Sequence, residues 1–226
     1  MKLTYYGHSC FSVFAGGKHL LFDPFITPNE LASSINVDEI KADYIFISHG
    51  HYDHIFDAVQ IAKRTGAMVL GNYEIYDWLN KQGLTNTHPI NPGGKFSFDF
   101  GTVKCVTAVH SSSFPDGTYA GVASGYVFKT SDGNFYYGGD TGLTLDMQLI
   151  ANWARLDFAV LPVGDGLTMG AEDALIAAGF VGASTVVGVH YDTFGFIKID
   201  HQKAIADFKS AGKTLHLLEI GSITEL

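Results

Sequence analysis

Apolar residues in this chain fall into short runs broken by glycine and proline, and the runs change rhythm twice. Lys2–Tyr6, Cys10–Phe14 and His19–Phe22 read as strands, joined by Gly7-His8-Ser9 and Gly16-Gly17, and Gly-rich joints of that length are hairpin signals. A proline-bounded loop, Asp23–Asn29, and a weak helical stretch near Glu30–Ile35 follow. Tyr44–Ile47 reads as a buried strand, and Ile55, Val59 and Ala62 then recur at helical spacing over Ile55–Lys63. Strand Met68–Leu70 and helix Tyr73–Lys81, stopped by Gly83, repeat that βα order. The Asn91-Pro92-Gly93-Gly94 turn opens a second block of strands, Lys95–Phe100, Thr102–Val109, Gly125–Lys129 and Asn134–Tyr137. Leu145, Leu149 and Trp153, each four apart, predict a helix, and strand Phe158–Val163, helix Ala171–Phe180, strand Thr185–Val189, helix Gln202–Ala211 and strand Thr214–Glu219 finish the chain.

The order is strands then βα units, twice over. Two sheets packed face to face with helices on both outer faces would bury these runs, so the expected fold is α/β, a four-layer αβ/βα sandwich. No internal repeat, low-complexity segment or linker interrupts it, and residues 1–226 are expected to form a single domain.

Composition narrows the function classes. The formal charge of −9 with fourteen scattered basic residues argues against a phosphate-backbone footprint, so nucleic acid is not the expected partner. Only two cysteines occur, Cys10 and Cys105, which leaves no disulfide framework and no CxxC metal site. Neither a signal-peptide pattern nor an apolar stretch approaching the ~20 residues that span a bilayer is present, so a cytoplasmic protein without a membrane partner is expected. The aromatic content of 13% permits a homo-oligomeric interface without demanding one.

Candidate chemistry concentrates after Tyr44–Ile47, in His49-Gly50-His51-Tyr52-Asp53-His54. His49 and His51 are two apart and project alike from an extended segment, whereas adjacent Asp53 and His54 diverge and can serve a second centre. Imidazole and carboxylate are ligands that zinc, iron and manganese accept. Downstream, His110, Asp140 and His190 each follow an apolar strand and precede Ser, Thr or Tyr at a turn, so all can reach one edge of the sandwich. His8 lies in a tight turn between strands. It is either a substrate contact or proton donor, or a structural turn histidine. Asp23 either orients a ligand imidazole or caps the Pro24 turn. His19, His88, His201 and His216 read as structural or surface residues, and Cys105 as core. Thr168 and Met169 either line a pocket or begin a helix. Gly138-Gly139 and Gly164-Asp165-Gly166 lack the flanking residues of a P-loop or a dinucleotide fingerprint and read as backbone clearance.

Ser48-His49-Gly50-His51-Tyr52-Asp53-His54, His110, Gly139-Asp140-Thr141 and His190 together resemble the metal-binding signature of the metallo-β-lactamase superfamily. Tyr6-Gly7-His8-Ser9-Cys10-Phe11, Phe22–Thr27, Thr168-Met169-Gly170 and His190–Phe194 are similar to a branch of metal-dependent hydrolases related to ascorbate-6-phosphate lactonase. That branch often has Pro-Met before its last ligand, where this chain has Gly188-Val189, a difference expected to bear on the pocket lining. The resemblance implies that His49, His51 and His110 hold one divalent metal ion, that Asp53, His54 and His190 hold another, and that Asp140 bridges them. Zn2+ is the first expectation, with Mn2+ or Fe2+ as alternatives.

Two such ions about 3.5–4 Å apart share a water and supply hydroxide near neutral pH. The function so implied is hydrolysis of a small-molecule ester, lactone or phosphoester, with Asp53 orienting the nucleophile and passing on its proton. A phosphodiesterase or nuclease of the same superfamily is the alternative enzyme, disfavoured by the acidic balance. Diiron flavoproteins reuse such a scaffold but resemble it with a carboxylate where His51 stands. A non-catalytic metal-binding scaffold is the remaining alternative, although structural zinc is usually closed by four ligands and this set has seven.

Overall fold

Fourteen short strands pair into two sheets of seven in a computed structural model that describes all 226 residues, Met1–Leu226. In the first sheet β1 (Lys2–Gly7), β2 (Cys10–Ala15) and β3 (Lys18–Phe22) form an antiparallel meander. Next to β3, β4 (Tyr44–Phe46), β5 (Met68–Gly71) and β6 (Thr87–Pro89) add in parallel. The second sheet repeats the scheme. β7 (Lys95–Phe98), β8 (Gly101–Thr107), β9 (Ser124–Thr130) and β10 (Gly133–Tyr137) are antiparallel, and β11 (Phe158–Pro162), β12 (Thr185–Val189) and β13 (Thr214–His216) continue in parallel. β14 (Ile223–Glu225) crosses back to pair with β1.

Helices α2 (Ala58–Thr65) and α3 (Tyr73–Lys81) cover the first sheet, while α4 (Ala171–Phe180) and α5 (His201–Ser210) cover the second. Local chemistry sets their ends. Gly66 closes α2 in the left-handed region at φ 74°, its N–H bonded to the Ala62 carbonyl. Asn72 caps α3 by accepting from the Ile75 N–H, and Asp200 caps α5 by accepting from that of Lys203. No helix is long and apolar enough to cross a membrane.

Between the sheets lies an aromatic core. Phe22 of β3 stacks on Phe11 at 4.4 Å and meets Phe128 of the opposite sheet edge-on at 5.3 Å; Phe46 meets Tyr126 at 5.5 Å. All five side chains are buried. Truncating such a ring costs about 3–5 kcal/mol, so the two sheets behave as one packed unit. The expected αβ/βα sandwich is the observed fold.

Several expected elements differ in detail. The helix expected over Ile55–Lys63 is split: a single turn, α1 (Tyr52–Ile55), begins inside the histidine cluster, and α2 starts only at Ala58. Glu30–Ile35 is not one helix but a 3₁₀ turn at Glu30–Ala32, with a second at Val37–Glu39. Leu145–Asn152 is 3₁₀ rather than α, and the four-residue spacing marks the wrong face: Leu145 is 70% exposed and Leu149 56%, while Met147 and Ile150 are buried. With three residues per turn, positions 147 and 150 align and positions 145 and 149 do not. The strand expected over Thr214–Glu219 ends at His216, and β6 and β14 carry no strong alternation in the sequence.

Candidate metal centre

The strands that end at one edge of the sandwich deliver every candidate ligand there. β4 leads into Ser48–His54, β8 into His110, β10 into Asp140 and β12 into His190. Two backbone bonds tie the sheets together at this edge, Ser124 N–H to the Ser48 carbonyl (3.0 Å) and His190 N–H to the His8 carbonyl (2.9 Å). Gly139 makes the approach possible: at φ 62°, a Cβ there would lie 2.7 Å from the Ser124 oxygen and 2.8 Å from Ser48 Cβ. At Gly164 a Cβ would stand 2.0 Å from the His190 carbonyl oxygen. Both glycines give the backbone clearance that the sequence suggests.

His49, His51 and His110 form the first group. Their ring nitrogens lie within 4.8 Å of one another, and His49 Nε2 is 2.9 Å from His51 Nδ1. Two nitrogen lone pairs cannot face each other at that distance unless a proton or a cation lies between them. Burial lowers the pKa of all three, and the neighbouring histidines push the same way against the pull of Asp140. These shifts favour the neutral imidazole, the form that ligates a metal. His51 and His110 retain some exposure, and Ser111 and Ser112 pack beside them, Ser112 Oγ accepting from the Gly50 N–H.

The second group is Asp53, His54 and His190, with His8 against it. Burial opposes charge on His54 and His190, yet the carboxylates prevail. Asp140, Asp23 and Asp53 hold the His54 pKa well above an ordinary imidazole, and Asp140 and Asp53 raise His190 to about 9. Asp140 supplies the link between groups. Its Oδ2 is 2.9 Å from His190 Nε2 and 3.2 Å from His54 Nε2, and 3.7 and 3.9 Å from the Nε2 atoms of His110 and His49.

Asp23 fixes one imidazole in each group. It accepts hydrogen bonds from the Ser48 N–H and hydroxyl, the Tyr137 hydroxyl and His54 Nδ1–H (2.8 Å). A carboxylate only accepts, so the Ser48 hydroxyl proton goes to Asp23 and Ser48 Oγ accepts from His49 Nδ1–H at 2.9 Å. Nε2 of both His49 and His54 is thereby aimed at the site. Three of these four donors fall on Asp23 Oδ2 and one on Oδ1, so the oxygen facing His54 is already fully engaged. Of its two sequence readings, the observed contacts are those that orient imidazoles of the cluster.

His8 is fully buried and its pKa is pushed down to about 4, by burial first and then by His190. Its Nε2 is 2.9 Å from Asp53 Oδ2 and its Nδ1 is 3.0 Å from Thr193 Oγ1. The Asp53 carboxyl is held far below its usual range, against burial, chiefly by His54, His190 and His8. Because Asp53 can only accept, His8 donates from Nε2 and takes the Thr193 hydroxyl proton on Nδ1. His8, Asp23 and His190 also have backbone φ of 54°, 38° and 57°, three of the five non-glycine residues in the left-handed region. Strain of about 1–3 kcal/mol per residue persists only where surroundings enforce it.

The donor set fits a metal. His54 Nε2 and Asp140 Oδ1 are buried without a hydrogen-bond partner, and nitrogen and carboxylate oxygen suit borderline divalent cations. Asp140, buried, and Asp53, part-buried, have histidines as their charged neighbours and call for positive charge, as protons or as metal ions.

A family profile described as a beta-lactamase superfamily domain matches residues 2–190. The chain belongs to that superfamily. Among its members, a UPF0173 metal-dependent hydrolase from Flavobacterium johnsoniae is 49% identical over 226 residues, the whole of both chains. This beta-lactamase superfamily chain therefore belongs with those metal-dependent hydrolases. A solved metallo hydrolase from the archaeon Ignicoccus hospitalis has a TM-score of 0.89 and 34% identity, covering 100% of this chain and 98% of its own. An isothiocyanate hydrolase from Delia radicum gut bacteria shares the fold, with a TM-score of 0.80 at 19% identity over 100% and 99% of the two chains.

Other sequence readings resolve simply. Gly188 and Val189 lie within β12, where a Cβ on Gly188 would meet Leu217 and Val163, so the departure from Pro-Met falls in core packing rather than the pocket lining. Met169 is buried, and Gly170 stands just before α4 as its N-cap. Ser48 and Tyr137 were not among the sequence candidates. Ser48 stands beside the cluster, but nothing in the sequence ties Tyr137 to Asp23, 114 positions away.

Proposed function

We propose that this chain is a dinuclear metal-dependent hydrolase. His49, His51 and His110 hold one divalent cation, Asp53, His54 and His190 hold the second, and Asp140 serves both. The observation that carries this reading is the position of Asp140 Oδ2, which reaches Nε2 of His190 at 2.9 Å and of His110 at 3.7 Å. Bound there, zinc, manganese or iron would acidify water towards a pKa of about 7 and polarise the scissile carbonyl or phosphoryl oxygen. Asp53 orients the attacking water and passes its proton to the leaving group. Asp53 Oδ2 is held by His8, whereas its Oδ1 makes no hydrogen bond, so one oxygen is left for that proton. His8 is a positioning residue in this scheme: its buried ring sets the angle of Asp53. The substrate is a small molecule carrying an ester, lactone or phosphoester.

Metal analysis of the purified chain, run beside a panel of esters, lactones and phosphoesters, tests the proposal. Two metals per chain with turnover that chelator abolishes and added metal restores is the expected result. One metal per chain with no turnover overturns it in favour of a metal-binding scaffold.

A further inference from the structure

The loops around the two ligand groups are nearly devoid of positive charge. Residues 23–30, 47–57, 108–123, 138–144, 163–170 and 190–200 contain no arginine and one lysine, Lys198. That lysine lines a groove of about 520 Å³ on the helical side of the second sheet, bordered by Phe196, where it and Lys203 are outnumbered by Asp165, Glu172, Asp173, Asp200 and Asp207. The same loops instead carry carboxylates, among them Asp116 and Asp165, both exposed.

What the loops do present is a row of aromatic rings beside the second ligand group. Phe196 stacks on Phe194 at 5.7 Å, Phe194 meets the His8 ring edge-on at 5.4 Å, and Phe25 meets it at 5.5 Å. Tyr52 packs on Phe25 at 5.6 Å and Phe56 on Tyr52 at 5.1 Å, which continues the row across α1. His8 itself lies 4.3 Å from the His190 ring, so the row passes directly beside that ligand group. Its ends are open: Phe196 is 66% exposed, Tyr52 45% and Phe56 44%. Aromatic rings from three separate loops gather at one site, and two of those loops leave rings exposed on either side of buried Phe25 and His8, which marks a binding surface rather than stray surface residues.

We infer that the substrate is an uncharged carboxylic ester or lactone whose apolar group lies along this aromatic row, and that phosphomonoesters and phosphodiesters are poor substrates. The inference rests on the dinuclear hydrolase reading and names its substrate class. A phosphoester keeps full negative charge on oxygens that do not react, and sites that bind one surround those oxygens with Arg, Lys or helix N-termini. Here any positive charge is confined to the reacting atom, and the rim repels anions. An ester carries no such charge. The water oxygen bonds to the acyl carbon, the bond from that carbon to the alcohol oxygen breaks, and the water proton ends on the leaving alcohol.

The test uses the zinc-loaded chain with p-nitrophenyl acetate, butanoate and hexanoate, the γ-lactones of matching chain length, p-nitrophenyl phosphate and bis(p-nitrophenyl) phosphate. kcat/KM is expected to rise about fourfold per added methylene, and the hexanoate to exceed both phosphates by about a hundredfold or more. F196A and F56A are expected to lower kcat/KM for the hexanoate more than for the acetate, which flattens the series. A flat series, or faster turnover of either phosphate, overturns the substrate class while leaving the hydrolase reading intact. If the chain holds two metals and cleaves nothing, the hydrolase reading fails, and the aromatic row is then judged by calorimetry with N-alkylacetamides of one to six carbons. A Kd that falls with chain length in the native chain and falls less in F196A supports the row as a binding surface, and a flat series rejects it.

Discussion

The two ligand groups sit side by side yet differ in charge, burial and origin. His49, His51 and His110 are pushed towards the neutral form and have no carboxylate of their own, and two of the three come from one short turn. Asp53, His54 and His190 are bound up with buried carboxylates, and two imidazoles there are pushed towards the protonated form. Without a metal, protons neutralise the second group while the first has lone pairs to offer. The contrast teaches that a metal entering the second group competes with protons, whereas one entering the first competes with little.

Asp140→Asn strikes the point where the groups meet and has the largest expected effect: a loss of roughly a thousandfold in kcat/KM and a fall from two metals to one or none. Metal analysis with steady-state kinetics checks it, and two retained metals with full turnover would show the groups to be independent. The contrast in protonation predicts the next largest effect. Because the His190 pKa is raised to about 9, zinc titrations of metal-free chain should fill the first group at pH 6.5. Affinity of the second should rise with pH up to about 9, about tenfold per pH unit for each proton displaced, from His190 and from His54.

Asp23→Asn should weaken both metals by about 10–100-fold, since it orients an imidazole in each group, whereas Ser48→Ala should weaken only the one held by His49. Competition with a zinc chelator separates the two outcomes. The smallest effect is on stability of the metal-free chain. His190, with its folded pKa of about 9 above the unfolded ~6.5, adds stability in full below pH 6.5 and loses it as pH rises to 9. His8, with its folded pKa of about 4, instead costs stability as pH falls from 6.5 to 4. Tm should therefore peak near pH 6.5, each limb worth up to about 3 kcal/mol, and zinc should remove the alkaline limb.

Much of this centre was legible before any coordinates. The dense run from His49 to His54 follows a buried strand, and His110, Asp140 and His190 each follow another; polar residues in such places answer to chemistry rather than to core packing. Asp23 was legible as one of two alternatives, because a carboxylate beside Pro24 serves a turn equally well. Tyr137 was not, since its hydroxyl reaches Asp23 only after the two sheets close on each other. Leu145, Leu149 and Trp153 misled for a different reason: a period of four assumes an α-helix, and the chain there winds with three residues per turn.

Strand rhythm, glycine placement and the order of βα units determined the sandwich, because they follow from local sterics and from which face of each element must be buried. The candidate ligands likewise came from residue type at strand ends. Only the closed structure decided which imidazoles are pushed towards the neutral form and which towards the charged one, that His8 holds Asp53, and that one carboxylate oxygen of Asp140 faces both groups. Those properties depend on desolvation and on distances of a few ångströms between residues far apart in the chain, and neither quantity exists until the sheets have packed.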